Sequence, residues 1–517
     1  MTSRTKYWRS LEELSGTAEF ERWLHAEFPA AAAEWGSEIH RRDFLRLMGA
    51  SLALAGLGAC TKQPIEKIVP YVKQPEELIP GKALRFATAT TFAGYAQGIV
   101  VTSREGRPIK IEGNPDHPAS LGATTIWAQA AVLDLYDPDR AQVVMKGETI
   151  STSARFLEEL DNALAGQDPI GGEGLAILTE TVTSPTVAAQ MKAISQRFPK
   201  SWWYQWDPIS RDALRDGRAG GEFGGETTYD FKKSRVVVAL DSDFLFTHPA
   251  ALRHGRDFAS SRRVIDVDGA RMSRLYVAEP TPSITGSNAD HRLPVAAADI
   301  GAIAVELAVL VGALPRTADL PSQPGPHTSW LRGAANDLAR NRGTGVIIAG
   351  EGQRGEVHAL VAKINAALGN EGTTIFYSDK VEACPMAQTV GLARLTNEIK
   401  GGRVNALFIL GGNPAYNAPV DLGFADALQN VNFCVHHSLH RNETSRLCHW
   451  HIPAAHFLEE WSDVRAHDGT VSIIQPLIEP IYEGMSRHEL LNSLVRQPAQ
   501  SSYDIVRNNW FRSNPSF

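Results

Sequence analysis

Val404-Asn405-Ala406-Leu407-Phe408-Ile409-Leu410-Gly411-Gly412-Asn413-Pro414-Ala415-Tyr416-Asn417-Ala418-Pro419 is an apolar run cut off by a Gly-Gly-Asn-Pro turn. Consecutive large apolar residues bounded by turn formers fit a strand buried on both faces of a parallel sheet, and the glycines let its carboxyl end turn sharply. Ligands of open α/β sheets bind at that end. The run therefore predicts an α/β sheet and marks Gly411, Gly412 and Asn413 as candidate binding residues.

The chain around it has 517 residues, 43% of them hydrophobic, and a net charge of −7. It can bury several cores, and the acidic balance without a basic cluster sets nucleic-acid binding aside. Its four cysteines, Cys60, Cys384, Cys434 and Cys448, form no C-x-x-C, which excludes a self-contained zinc ribbon or ferredoxin-type cluster. Any electron-carrying cluster is expected on another polypeptide.

Residues 1–39 carry Trp8, Leu11, Leu14, Phe20, Trp23, Leu24 and Phe28 at helical spacing, as two short amphipathic helices would, to dock on a partner, to pack on their own domain or to stay loose. His40-Arg41-Arg42-Asp43-Phe44-Leu45-Arg46 then precedes an apolar, small-residue run ending in Leu57-Gly58-Ala59-Cys60. Arg41, Arg42, Phe44 and Leu45 have the layout of a twin-arginine export signal, and the apolar run is too short to span a bilayer. Cys60 closes a box like that of lipoprotein signal peptidase, which makes it a candidate lipid attachment point. Pro64, Pro70, Pro75 and Pro80 make 61–81 an extended linker.

Ile99-Val100-Val101-Thr102-Ser103 and Pro108-Ile109-Lys110-Ile111-Glu112, joined by Arg104-Glu105-Gly106-Arg107, read as a β-hairpin. With the following Gly113-Asn114-Pro115-Asp116-His117-Pro118 and Leu135-Tyr136-Asp137-Pro138-Asp139-Arg140, this region resembles the amino-terminal part of molybdopterin oxidoreductases of the dimethyl-sulfoxide-reductase type. In cluster-bearing members of that family the intervening segment carries a cysteine. Here 121–130 has neither cysteine nor histidine, so no cluster is expected in this domain.

Leu175-Ala176-Ile177-Leu178, Val236-Val237-Val238-Ala239-Leu240, Val264-Ile265-Asp266-Val267, Val346-Ile347-Ile348-Ala349-Gly350 and Leu407 to Leu410 are candidate parallel strands, with alanine-rich helical stretches such as Ile300 to Val311 between them. The pattern predicts an α/β protein with two Rossmann-like lobes and a small β-rich amino-terminal domain. With the resemblance, the expected organisation is 82–140 for the small cluster-less domain, 141–205 and 325–445 for the first lobe, 206–324 for an inserted second lobe, and 446–517 for a segment packing back on the small domain. Val236 to Pro249 and Val404 to Pro419 resemble each other as strand, polar turn and proline, as the family's two pterin-holding halves do. The first copy ends in Asp241-Ser242-Asp243-Phe244, and aspartates there would repel a pyrophosphate.

In Ala289-Asp290-His291-Arg292-Leu293-Pro294 and Ala298-Asp299-Ile300-Gly301-Ala302 only Asp299 matches the family's Arg-Pro-Gly-Thr-Asp turn. The resemblance therefore implies Gly411, Gly412, Asn413 and Asp299 as cofactor-binding or vestigial positions. Trp202 to Ser210 falls where catalytic members ligate molybdenum, but it offers only Asp207 or Ser210, which read as cap or turn residues. Cys434, His436, His437, His440, Cys448, His449 and His451 invite a metal reading, yet their spacing fits no zinc pattern and alternate strand residues point apart. The Glu443-Thr444 pair, Ile452-Pro453-Ala454-Ala455 and Glu459-Glu460 match the family's late signature. No catalytic residue and no metal ligand is assigned.

The chain finishes soon after Asn508-Asn509-Trp510, where catalytic members continue into a closing β-barrel. The whole resembles the family formed by the molybdopterin-oxidoreductase-like, amino-terminal halves of the large iron-sulfur subunits of alternative complex III, also described as twin-arginine-variant translocated. That resemblance implies a non-catalytic, cofactor-free structural subunit at the periplasmic face of the cytoplasmic membrane. Its partners would be a quinol-oxidising membrane subunit, a ferredoxin-like iron-sulfur polypeptide and cytochrome c-type subunits. The missing second half would make the chain a truncated piece, a split version or the product of an interrupted gene. The alternatives are a catalytic respiratory enzyme carrying molybdopterin guanine dinucleotide and a soluble periplasmic binding protein.

Overall fold

The computed structural model describes residues 79, 81–217, 225–264, 272–316 and 327–513. Arg41, Arg42, Phe44, Leu45 and Cys60, with segments 1–39 and 40–60 and residues 61–78 of the expected linker, lie outside the described residues. The elements described all belong to the unit that begins at Glu77.

Strands β1 (Leu84–Phe92), β2 (Tyr95–Arg104) and β3 (Arg107–Gly113) form an antiparallel meander. The expected hairpin is β2–β3, turned by Glu105 and Gly106 at positive φ, the backbone that a two-residue turn requires. The sequence pattern did not single out β1 as its third strand. A helix at Ile126–Leu135 packs on the meander, capped by the Thr125 side chain.

Seven strands make the larger sheet, in the order β5-β4-β16-β15-β14-β6-β7. Its parallel members are β6 (Leu175–Thr179), β7 (Trp202–Gln205), β14 (Ala406–Leu410), β15 (Phe433–Ser438) and β16 (Trp450–Pro453), and β4 (Met145–Lys146) with β5 (Thr149–Ile150) adds an antiparallel edge. Every residue of β6 and β14 is buried. Alternate side chains serve opposite faces. Leu175, Ile177, Phe408 and Leu410 join the helices Ser153–Gln167 and Pro185–Arg197, whereas Ala176, Leu178, Leu407 and Ile409 join Gln388–Lys400. A strand covered by helices on both sides must be apolar throughout, which is why these runs lack period-two alternation.

A smaller parallel sheet has the order β11-β10-β9-β12, from β9 (Val236–Leu240), β10 (Arg274–Glu279), β11 (His291–Pro294) and β12 (Gly345–Ala349). Val236, Val238 and Ile347 face the helices Ile300–Leu310, Thr328–Arg340 and Gly355–Leu368, and Val237, Ala239 and Ile348 face Phe231, Phe244 and Phe258. Of the strand expected at Val264–Val267, Val264 is irregular and exposed, and 265–267 lie outside the described residues. β12 sits within the stretch 325–445 assigned to the first lobe, yet it pairs with β9. The strands β8 (Glu226–Tyr229) and β13 (Ile375–Ser378) form a separate antiparallel pair. Near the carboxyl end, the hairpin β17 (Ser462–Arg465) and β18 (Val471–Ile474) packs Val464, Ala466 and Ile474 against Ala89 and Ala96 of the meander.

Candidate functional site

In the larger sheet the chain runs outward from β14 through β15 to β16 on one side and from β6 to β7 on the other. The ends of β6 and β14 therefore flank a topological switch point, the crevice where such sheets bind ligands. A cavity of about 510 Å³ opens there, with Glu180, Gly411, Gly412, His437, Glu460 and Arg487 on its wall.

Gly411 and Gly412 turn at φ 80° and 66°, which only glycine adopts cheaply. The Gly411 N–H and both carbonyls are engaged by the protein. The Gly411 N–H donates to the His437 carbonyl at 2.8 Å. His436 Nε2 donates to the Gly412 carbonyl at 3.2 Å, and its Nδ1 accepts from Ser445 Oγ at 2.7 Å. Burial lowers the His436 pKa to about 4, keeping the ring neutral, and His437 is lowered likewise to about 4 while donating to the Met485 carbonyl at 2.8 Å. The Asn413 amide faces protein on both sides: Oδ1 accepts from Thr444 N at 3.2 Å and Thr444 Oγ1 at 2.8 Å, and Nδ2 donates to Glu443 at 2.7 Å.

Across the switch point, Glu180 follows β6 and presses on this turn: a Cβ at Gly411 would lie 2.1 Å from Glu180 Oε2. Neighbouring protein atoms that displace water and the charge of Asp207 raise the Glu180 pKa to about 7, against the pull of Arg487, 3.9 Å away, although 42% of its side chain remains exposed. Glu460 is likewise raised to about 7 by burial, although it accepts from the Arg487 backbone at 3.2 Å. Asp463 in the same wall is saturated by the hydroxyls of Ser184 and Thr186 and by Trp510 Nε1.

The smaller sheet repeats this arrangement. Its switch point lies between β9 and β12, where Asp241 (φ 53°) stands against Gly350, whose Cβ would meet the Asp241 carbonyl at 1.7 Å. Asp241 accepts from Gln353 at 2.7 Å and its pKa is raised by burial. Asp243 accepts from Thr285 N and Oγ1, and Glu279 at the end of β10 accepts from Arg292 and Ser283. In each sheet, one strand beside the switch point ends in an acid and the other in glycine.

A buried polar network joins the meander to the regions around both sheets. Arg211 Nη1 donates to Tyr95 Oη at 2.9 Å and Glu226 Oε2 at 2.7 Å, and its Nε lies 3.2 Å from Glu351. The Tyr95 hydroxyl reaches Glu226 and Glu382 at 3.0 and 2.9 Å, and Glu382 also binds Arg215. Burial opposes ionisation of Glu226, yet Arg211 and His467 hold its pKa well below the usual carboxylate range.

The expected site residues do not all meet. Gly411 and Gly412 line the cavity, Asn413 bolts their turn to Thr444, and Asp299 is exposed before the helix Ile300–Leu310, away from the cavity wall. Asp207, in the irregular segment after β7, accepts from the Thr181 N–H at 2.8 Å, and neither it nor Ser210 lines the cavity. The histidines each have a protein partner: His436 and His451 are level on β15 and β16, His451 binds Ser438, His440 binds Asp137, and His449 Nδ1 accepts from Cys434 N. No group of three metal-ligating side chains converges among the described residues. Glu180 and Arg487 were not singled out in sequence, and Glu460 was marked only as part of the family's late signature; Glu180 had a signal, since it directly follows an apolar run, as Gly411 does.

Comparison with known proteins agrees with this architecture. No family model matches the chain. It is 26% identical over 428 residues to the menaquinone reductase, molybdopterin-binding-like subunit, of Nitratidesulfovibrio vulgaris Hildenborough, covering 74% of this chain and 60% of that protein. The chain thus spans about 60% of the length of this curated relative. Acetylene hydratase from Pelobacter acetylenicus superimposes with a TM-score of 0.58 at 13% identity, over 79% of this chain and 69% of the hydratase. The chain is distantly similar in sequence to the first, a molybdopterin-binding-like subunit, and shares the α/β fold of the second.

The pterin dinucleotide that the resemblance implies carries a pyrophosphate and needs donors at the strand ends. Here those positions hold Glu180, Asp241, Asp243 and Glu279, the Gly411 amide is already bonded, and Arg487 is shared between Glu180 and Glu460. These acids oppose an anionic dinucleotide, and the buried Arg487 Nε, which has no hydrogen-bond partner, is a donor on the same wall.

Proposed function

We propose that the chain is a cofactor-free structural subunit of a membrane-associated quinone-linked oxidoreductase complex, of the alternative complex III type, beside which an iron-sulfur polypeptide carries the electrons. The observation that carries this reading is the acid set against glycine at each of the two switch points, since like charge there works against the ligand for which the crevice is shaped. The name of the relative, a molybdopterin-binding-like subunit of a menaquinone reductase, supports the quinone side of the assignment. A quinol-oxidising membrane subunit, a ferredoxin-like polypeptide and cytochrome c-type subunits are its proposed partners. The proposed location is the periplasmic face of the membrane, reached through Arg41, Arg42, Phe44 and Leu45, with Cys60 as a lipid attachment point. No described helix is long and apolar enough to cross a membrane, so the chain's membrane association is assigned to its partners and to that lipid.

The test is metal and nucleotide analysis of the chain purified with its native complex. Molybdenum, tungsten and acid-released guanine nucleotide should each be far below one per chain. A value near one for either metal would overturn the scaffold reading in favour of a catalytic subunit.

A further inference from the structure

Cys434 is the second residue of β15, and Cys448 follows the short helix Glu443–Leu447 two residues before β16. Both are buried, with 0% and 5% of their surface exposed, and both belong to one apolar cluster with Leu407, Ile409 and Leu447. Their sulfurs stand 2.9 Å apart. Non-bonded carbons settle at about 3.5–4.0 Å and sulfur is larger, so this approach lies between van der Waals contact and the roughly 2.05 Å of a disulfide. A shared zinc ion does not account for it. Two thiolates about 2.3 Å from a tetrahedral ion stand roughly 3.8 Å apart, and no third ligand converges among the described residues.

We propose that Cys434 and Cys448 are a disulfide-forming pair that staples the crossover from β15 to β16. That crossover carries His436, Asn442 and Thr444, which hold the Gly411–Gly412 turn and Asn413. The bond would therefore fix one wall of the crevice, whether or not a cofactor is bound. With glutathione disulfide as oxidant, one cysteine thiolate attacks a glutathione sulfur and releases one glutathione thiolate. The second cysteine thiolate then displaces the other. The sum is one protein disulfide and two glutathione molecules, which take up the two cysteine protons. Because burial opposes access to both sulfurs and ionisation of the Cys434 thiol, exchange is expected to proceed through transient opening of this segment.

The full chain, held in a glutathione disulfide buffer at a urea concentration just below its unfolding transition, is quenched with N-ethylmaleimide, denatured and digested. Mass spectrometry should recover the two peptides joined, two hydrogens lighter than their sum, with Cys384 alkylated or glutathionylated and not cross-linked. The bond closes a separation of 14 residues, so oxidation should raise the thermal midpoint by several degrees. Both the link and the increment should disappear in C434S and in C448S. Recovery of Cys434 and Cys448 as separate alkyl or glutathione adducts would overturn the proposal. So would an oxidation-dependent increment that survives in both variants.

Discussion

Glu180 shows how one side chain separates the shape of a binding site from its chemistry. Its pKa is about 7 in the folded chain, against roughly 4.3 for an unperturbed glutamate. The folded state therefore binds more protons between those values, and the stability tied to the neutral carboxyl is full below about pH 4.3 and is lost as the pH rises to about 7. Glu180→Gln should accordingly stabilise the chain more at pH 8 than at pH 5. Solvent in the cavity screens the charge, so the difference should be on the order of 1 kcal/mol by urea unfolding. An increment equal at both pH values would refute this assignment. Arg140 is the opposite case. It forms a bidentate ion pair with Glu459, at 3.1 and 2.7 Å, with only 1% and 0% of the two side chains exposed. Arg140→Ala leaves a buried carboxylate without its cation and should cost about 3–5 kcal/mol in chemical denaturation.

At the scale of elements, the short helix Glu443–Leu447 exists because of what stands before it. Asn442 accepts from the Ser445 N–H while Ser445 Oγ accepts from the Asn442 N–H, a reciprocal capping box, and the same helix presents Thr444 to Asn413. Asn442→Ala should cost about 1 kcal/mol by thermal denaturation, and the Gly411–Gly412 turn should exchange its amide hydrogens faster. The buried strands β6, β9, β12 and β14 were legible in sequence because parallel strands between helix layers are apolar at every position. β10 and β11 were not, since Arg274, Glu279, His291 and Arg292 break the run, and their burial and pairing depend on neighbours far away in the chain. Sheet membership was hidden for the same reason: nothing local in Gly345–Ala349 tells whether it pairs with β9 or with β6. The motifs around Arg140 and Glu459 were each readable, but their meeting across |i−j| = 319 belongs to the tertiary fold. Gly411 was marked by its turn, whereas the acid opposite it was seen only once β6 and β14 stood side by side.

At the scale of the molecule, the meander, the two sheets and the hairpin β17–β18 converge on Arg211. Arg211→Met removes the one charge that Glu226, Tyr95 and Glu351 share. It should cost about 3–5 kcal/mol in urea unfolding, with faster proteolysis of the segments around β8 and β13. A near-neutral effect would mean that the network does not hold these parts together.

The buried network also bears on how such a molecule matures. A protein that must admit a large guest between its lobes has to remain ajar until the guest arrives. Here the tie across the parts is made of the chain's own side chains, from Arg211 through Tyr95 of the meander to Glu382. On the scaffold reading, assembly needs no loading step: the polypeptide can lock shut as soon as it folds, and present a finished surface to whatever it joins.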